Sequence, residues 1–479
     1  MDMYRRHYWS LFLDFIDAFK SLNHKGIPLP LLSHFNEYLA VSKEARNELM
    51  KPGLEQHIKA KLHSNEQIQH GFDSLMKTIK RDRGSKRRSG KILLCMGGAL
   101  RIPDQTLQQF FDPSQTVFVS SWKIQNPHYC GIPIHSLPDY GADVRDLTHQ
   151  LATKAKAIFS ACGDHPVFGN PLFQQKFLDE IPLMVEGVDA AYHYLNQVPA
   201  KCVIVGTTAL MPERILTIIA ASQGIPSICL QHGVVMGEPG YMPVFASKMA
   251  VYGHYEREWY LDRGVSDDCI EITGHPRFDR IFTESFMSQS HLSEQLGLHP
   301  QKKSVLIITQ DNDDFWPQFV DLLVQHSWME IIIKPHPQEI VMGRLPIYEA
   351  ICEKHPSVKL LRPRFKAEKV FDFEVGLYDL LPNVDLIAVG SSTVGLEAML
   401  FGKPVVFLNS IGDYYNQQRL DPFVQRDPEK LIQIMKGLID DVAVQNDADK
   451  KRKAFVEYAY PVKCSGKKLM ELIDKLAGA

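Results

Sequence analysis

Leu386-Ile387-Ala388-Val389-Gly390-Ser391-Ser392-Thr393-Val394-Gly395-Leu396-Glu397-Ala398 is the stretch whose reading decides the fold. Its first four residues are apolar without interruption, as in a short strand buried on both faces of a parallel sheet. A glycine and three hydroxyls follow, and an apolar helical pattern opens directly behind them. Strand, turn and helix in that order form one βα step of a doubly wound sheet, whose ligands lie outside the carboxyl ends of the strands. The helix start turns N–H groups and the positive end of its dipole towards that edge, which suits an anion such as phosphate. Ser391, Ser392 and Thr393 add donors beside Gly390, and Gly395 opens the backbone to a ligand. Glu397, about one turn into the helix, is placed to accept from a ribose or sugar hydroxyl. An ordinary Ser/Thr N-cap is the simpler alternative; three consecutive hydroxyls between two glycines are more than one cap uses.

The same alternation runs along most of the chain. Apolar runs at 91–96, 116–119, 202–205, 227–230, 249–252 and 271–273 form one series, and 304–309, 330–333, 358–361, 386–389 and 405–408 form another. Helical patterns separate them, among them 147–159, 214–222, 315–325, 346–353, 393–401 and 428–439. The expected class is α/β, with two Rossmann-like doubly wound domains facing a cleft and an N-terminal helical region. The expected boundaries are 1–90 for the helical region, 91–280 for the first domain, and 281–479 for the second domain with C-terminal helices. In the helical region Tyr8, Phe12, Phe15, Ile16 and Phe19 recur at three- and four-residue steps. Core packing is the favoured reading of that stripe, and a membrane-surface or partner-binding helix is the alternative.

Composition narrows the class further. The 479 residues are 45% hydrophobic and 23% charged, which excludes a disordered chain, a collagen and a polytopic membrane protein. A formal net charge of -3 supplies no global field for nucleic acid, so no nucleic-acid partner is expected. The eight cysteines are widely spaced without a C-x-x-C, against a zinc ribbon or a disulfide scaffold and in favour of a reducing, cytoplasmic setting. Residues 215–237 carry no Asp, Glu, Lys or Arg, but Gln223-Gly224-Ile225-Pro226 at their centre reads as a turn between a buried helix and a buried strand. The tract 77–91 holds eight Lys or Arg against one Asp. A solvated helix end with a linker is the first reading, and attraction to a charged polymer or to anionic lipid, as peripheral contact at the inner face of the membrane, is the second.

Three further places carry candidate chemistry. Ile331-Ile332-Ile333-Lys334-Pro335-His336-Pro337 ends a buried strand in a cation and an imidazole, each held extended by the proline that follows. Lys334 offers a point charge, and His336 can donate to a phosphate oxygen or protonate a leaving phosphate. His232, in Gln231-His232-Gly233, follows a strand of the first series; it is either a general base for an acceptor hydroxyl or a hydrogen-bonded loop histidine. Arg277, in Gly274-His275-Pro276-Arg277-Phe278-Asp279, pairs with a phosphate, with Asp279 or with a backbone carbonyl. Asp311-Asn312-Asp313-Asp314 contains a D-x-D spacing, although capping of the following helix is favoured. Gly97-Gly98 is not a dinucleotide fingerprint, and no Walker A, H-E-x-x-H or G-x-S-x-G pattern is present. No cofactor and no metal is required by these residues.

The order Gln-His-Gly, Gly-His-Pro-Arg-Phe-Asp, Lys-Pro-His-Pro, Ser-Ser-Thr resembles bacterial GT-B transferases of surface polysaccharide assembly. It is most similar to CDP-glycerol glycerophosphotransferase-like and capsule or spore-coat polysaccharide proteins. The resemblance covers about residues 200–410 well, the preceding Rossmann-like half loosely, and the first 90 residues hardly at all. It implies an acceptor domain followed by a nucleotide-donor domain, a nucleotide-sugar donor, and a glycan or lipid-linked acceptor. By position, His232 matches the base or acceptor-site histidine, His336 the donor-phosphate histidine, and Ser391 and Ser392 the paired phosphate-binding hydroxyls. The His-Pro and Ser-Ser pair also resembles sialyl- and Kdo-type transferases that use CMP-sugars, in which a carboxylate of the first domain is the base. Glu213 and Glu186 are the positions offered for it. Gly395-Leu396-Glu397-Ala398 departs from the aromatic and acidic continuation of the glycerophosphotransferases and favours a glycosyl donor. The expected activity is therefore glycosyl transfer. The alternatives are glycerophosphotransfer, a UDP-N-acetylglucosamine 2-epimerase-like reaction without acceptor, and a non-catalytic binding subunit.

Overall fold

Two mostly parallel sheets carry the chain in the computed structural model, which describes all residues except 82–88, 300, 310–314, 327–328, 368–369, 409–412, 416–417 and 479. The first sheet contains β1 (Lys91–Met96), β2 (Thr116–Ser120), β3 (Ile132–Ser136), β4 (Ala200–Val205), β5 (Ser227–Leu230), β6 (Lys248–Val251) and β7 (Ile270–Ile272). Their spatial order is 3-2-1-4-5-6-7, and the two-residue strand His128–Tyr129 runs antiparallel on the outside of β3. The second sheet contains β8 (Lys303–Ile308), β9 (Met329–Lys334), β10 (Val358–Leu360), β11 (Leu386–Val389), β12 (Val405–Leu408) and β13 (Val424–Gln425), in the order 10-9-8-11-12-13. Both are doubly wound, so the expected class, α/β with two Rossmann-like domains and N-terminal helices, holds. In each, strand order reverses beside the first strand: between β1 and β4, and between β8 and β11. Such a reversal opens a crevice at the carboxyl ends of the strands.

Continuous apolar runs located these strands to within a few residues, except β3 and the two-residue β13. β3 escaped because Pro133 and His135 interrupt it and its three central residues are only half-buried. The antiparallel hairpin Pro363–Ala367 with Val370–Phe373 was not anticipated either.

Residues 1–232, 237–277 and 464–479 form one unit, and 233–236 with 278–463 form the other. The N-terminal helices are part of the first unit's core. Helix α1 (Met3–Phe19) buries Trp9, Phe12, Phe15 and Phe19. Phe15 packs edge-on against Phe177, with ring centroids 5.0 Å apart, and Phe19 lies 4.6 Å from Phe159. The aromatic stripe is thus core packing, in one cluster with strand residues such as Val203 and Val205. Helix α2 (Gln67–Ile79) adds Phe72 to it, and α3 (Pro171–Gln197) runs its apolar face along the same core. Helix α4 (Met211–Ser222) and β5 account for the uncharged stretch 215–237 as buried helix, turn and buried strand. Among the described residues no helix is long and apolar enough to cross a membrane. Much of the basic tract 77–91, at 82–88, lies outside the described residues.

In the second unit β11 leads into α5 (Thr393–Leu400), the helix expected there. The last helix, α6 (Ser465–Ala477), belongs to the first unit, whereas the expected second domain ran to residue 479. Leu469, Leu472 and Ile473 join Leu94, Ile204 and Ile228 under the first sheet, and Lys475 reaches Glu271 at 2.7 Å. An amphipathic helix goes where its apolar face is covered, and linear order does not prescribe that.

Candidate functional site

Strand register builds the site in the second unit. Ile308 at the end of β8 pairs with Lys334 of β9 on one side and with Val389 of β11 on the other. Lys334 and Val389 therefore end at the same level, two strand spacings or about 10 Å apart. The Lys334–His336 loop and the Gly390-Ser391-Ser392-Thr393 loop leave the same edge of one sheet, and the second leaves it at the order reversal. The two loops that the sequence singled out are thus brought to one place.

Each loop is held from beneath. Thr309, fully buried just beyond β8, accepts from the His336 backbone N–H at 3.2 Å and donates its hydroxyl to Glu339. Glu339, 1% exposed, also accepts from the His336 N–H at 3.1 Å and from the Tyr348 hydroxyl at 2.9 Å. The backbone of His336 is therefore fixed while its ring stays part-exposed. The Lys334 ammonium lies over the Phe373 ring at 4.0 Å, a contact that limits its wandering. Thr309, Glu339, Tyr348 and Phe373 were not singled out from the sequence. Only Glu339, three residues after His336, had a local signal, the spacing of a capping residue.

Ser392 is the N-cap of α5, and its Oγ accepts from the Val394 N–H at 3.3 Å. The Tyr415 hydroxyl donates to the Ser392 carbonyl at 2.6 Å and accepts from the Leu396 N–H at 3.0 Å. The Gly395 N–H is bonded to the Ser392 carbonyl at 3.1 Å. These N–H groups, expected to face a ligand, are thus engaged within the protein. A hydroxyl that accepts can still donate, so the cap bond leaves the Ser392 hydroxyl able to donate to an anion. The missing side chain of Gly395 also serves packing. A Cβ there would lie 2.5 Å from Phe407 and 3.1 Å from the Tyr415 hydroxyl, so the missing side chain admits packed rings. Thr393 accepts from the Val234 N–H at 3.3 Å, Ser391 is 9% exposed, and Glu397 is buried in the first turns of α5.

Different chemistry gathers at the reversal in the first unit. Glu213, 5% exposed in the first turn of α4, packs on Gly97, where any Cβ would collide with its carboxylate. Burial raises its pKa, and its charge helps to raise the thiols of Cys95 and Cys229. The glycine after β1 leaves space for this acid, a role the sequence did not reveal. Glu186, the other carboxylate offered, is exposed on α3 beside a largely apolar cavity of about 490 Å³. His232 follows β5, with its ring stacked on Tyr241 at 4.8 Å and 6°. Burial first, then Arg101 and Arg277, push its pKa down to about 4, so the imidazole is neutral at pH 7. Gln231 holds the start of that loop, donating to buried Glu256 at 3.0 Å and accepting from the Tyr252 N–H at 3.1 Å. Arg277 ends the first unit beside His275, which is fully buried and accepts the Arg277 N–H at 3.1 Å. Among the described residues no hydrogen bond or ion pair joins Glu213 to His232, and no group of three or more His, Cys, Asp or Glu is gathered as for a metal. The D-x-D at 311–313 lies outside the described residues.

No family model and no curated protein matches the chain. Solved structures do, through their fold. A UDP-GlcNAc 2-epimerase from Neisseria meningitidis, bound to UDP-GlcNAc, aligns at TM-score 0.51 and 15% identity over 80% of this chain and 100% of that one. A glycosyltransferase from Rickettsia africae aligns at TM-score 0.51 and 10% identity over 81% and 98%. Anabaena Alr3699/HepE, in complex with UDP and glucose, aligns at TM-score 0.50 and 15% identity over 81% and 100%. The likeness is one of fold, and with the two reversed-order sheets it makes this a GT-B-type α/β chain.

Proposed function

We propose that this protein is a glycosyltransferase that moves a sugar from a nucleotide-activated donor, CMP- or CDP-linked in the favoured form, onto a surface polysaccharide or its precursor. The carrying observation is the shared pairing of Lys334 and Val389 with Ile308, which puts a lysine–imidazole loop and a hydroxyl loop on one sheet edge. In this reading the second unit holds the donor phosphate through Lys334, His336 and the hydroxyls of Ser391, Ser392 and Thr393, with the α5 dipole behind them. Glu397 accepts from a sugar or ribose hydroxyl. The first unit takes the acceptor, a glycan or lipid-linked hydroxyl, whose proton passes to Glu213 or to neutral His232. Arg277 adds positive charge near His232. The new bond joins the acceptor oxygen to the sugar's anomeric carbon while the bond to the phosphate oxygen breaks. Charge left on the phosphate is neutralised by Lys334 and by a proton or hydrogen bond from His336. A cytoplasmic location with peripheral membrane contact through 77–91 belongs to the same proposal.

A 2-epimerase-like reaction is the second reading, supported by the Neisseria neighbour and by the buried Glu397. A thermal-shift series with CMP-, CDP-, UDP- and GDP-linked sugars tests the shared premise. A ligand at about 100 times its Kd adds about 2.7 kcal/mol of stability, and His336→Ala is expected to abolish the gain. If none of the series raises the melting temperature, nucleotide-sugar use is wrong. Incubation of the stabilising ligand alone then separates the reactions, since only an epimerase changes it without an acceptor. Binding without turnover under either condition would indicate a non-catalytic subunit.

A further inference from the structure

We infer that α1 is a positioning element for His232: through Arg5 and Trp9 it fixes Glu238, and through Glu238 it holds the Tyr241 ring against the His232 imidazole. Glu238 is 7% exposed, and a buried carboxylate is tolerated only when its oxygens are satisfied. Trp9 Nε1 donates to Oε2 at 2.6 Å, while Arg5 and Arg263 both reach Oε1, the latter at 2.9 Å. The Arg263 guanidinium lies 3.8 Å from the Trp259 ring centre, and Trp259 stands edge-on to Tyr241 at 6.4 Å.

The Glu238 backbone passes this restraint on. Its carbonyl accepts from the N–H groups of Tyr241 at 2.9 Å and Met242 at 2.8 Å, closing the turn that presents the Tyr241 ring. A second grip follows from α2, where Gln69 exchanges two 2.9 Å hydrogen bonds with the backbone of Val244. The core-filling role of α1 is met by Phe12, Phe15 and Phe19. Arg5 and the indole N–H of Trp9 add nothing apolar, and both are aimed at Glu238. Besides Tyr241, the groups acting on His232 are Arg101, Arg277 and the Gly206 backbone, and His232 in turn acts on His275. With the tyrosine cover loosened, water returns to the imidazole and its titration moves towards the ordinary histidine value.

The importance of this restraint for transfer rests on the role proposed for His232. The restraint itself is read without donor or acceptor, so it can fail while the proposed reaction survives, and the reverse. The test uses the full-length protein with 13C-labelled histidine, the His232 signal being assigned through His232→Asn. Arg5→Met with Trp9→Phe removes both of α1's contacts to Glu238, leaves that of Arg263 and keeps an aromatic ring at position 9; Trp9→Phe alone is the milder variant should the pair fold poorly. Phe12→Leu is the control, a core loss of similar kind that does not touch Glu238. The expected result is a rise of the His232 midpoint by about one pH unit or more in the double variant, a smaller rise in Trp9→Phe, and none in Phe12→Leu. Partial return of the midpoint in Arg5→Lys would support the ion-pair part. An unmoved midpoint in the folded variants, or an equal move in Phe12→Leu, overturns the inference.

Discussion

The two units share a strand order and use the crevice it opens in opposite ways. At the edge of the second, Lys334, His336 and the 390–393 loop present a cation, an imidazole and hydroxyls, with backbone geometry secured by Thr309, Glu339 and Tyr415. In the proposed reading that edge receives the donor's charge. At the edge of the first, Glu213, Glu256 and His275 are buried and His232 is part-buried, and loss of solvent displaces each towards its neutral form. At that edge the cost of burying charge shifts titratable groups towards their uncharged forms. In the proposed reading, one topology thus serves a phosphate site in one unit and a proton-transfer site in the other. Side-chain size and polarity at the strand ends make the difference.

The largest effect that could break this contrast lies in the second unit. His336→Ala is expected to lower transfer by about 10²–10⁴-fold, while the melting temperature stays close to wild type, since the ring is part-exposed and the loop is held through its backbone. Normal turnover by the purified variant would remove the phosphate role. The next effect belongs to the first unit. Glu213→Gln is expected to lower transfer by at least about 10²-fold if the carboxylate is the base. The amide needs no dehydration of a charge, so the variant should be as stable as wild type at pH 8 or more so. Full activity in Glu213→Gln together with loss in His232→Asn would assign the base to His232.

Acid and alkaline limits sharpen the comparison further. Burial raises Glu256 to about 7, so between about 4.5 and 7 the folded chain holds a proton that the unfolded chain has lost. Its contribution is present at low pH and fades as pH rises through 7. His232, at about 4, works in the opposite sense. Between about 4 and 6.5 the unfolded chain holds the extra proton, so this contribution is present above 6.5 and fades as pH falls towards 4. Denaturant melts of His232→Asn should therefore lose less stability between pH 7 and 5 than wild type, and those of Glu256→Gln less between pH 6 and 8. Unchanged slopes in both would mean that the first edge is wetter than its geometry indicates.

The sequence exposed the second edge far better than the first. Apolar runs of three or four residues ending in Lys-Pro-His or Gly-Ser-Ser carry strand, turn and polar group within one local window, and β9, β11 and α5 are legible for that reason. Glu213 was a position without a mechanism, because its meaning depends on Gly97, more than a hundred residues away and empty of side chain so that the acid fits. Glu238, Arg5 and Trp9 carry no local pattern; α1 and the turn at Glu238, more than two hundred residues apart, meet only through the tertiary fold. α6 joins the first sheet for the same reason, since the surface that covers it is assembled from β1, β4 and β5.

Gly395 offers the smallest test and the most local one. A glycine behind three hydroxyls reads equally as room for a ligand or room for packing. With Phe407 and Tyr415 stacked at 4.1 Å beneath it, packing is the use the structure makes of it. Gly395→Ala forces a methyl onto those rings, an overpacking that costs about 1–3 kcal/mol. At about 2–4 °C per kcal/mol for a unit of this size, the melting temperature should fall by several degrees. Nucleotide affinity should weaken only as far as Tyr415 releases the Ser392 carbonyl. Tyr415→Phe, which removes both of that hydroxyl's bonds without adding bulk, should weaken affinity with a smaller loss of stability. If Gly395→Ala instead abolishes nucleotide binding at full stability, the ligand reaches the backbone at this residue after all. The second edge would then depend on contact with the chain itself more than on its hydroxyls and cations.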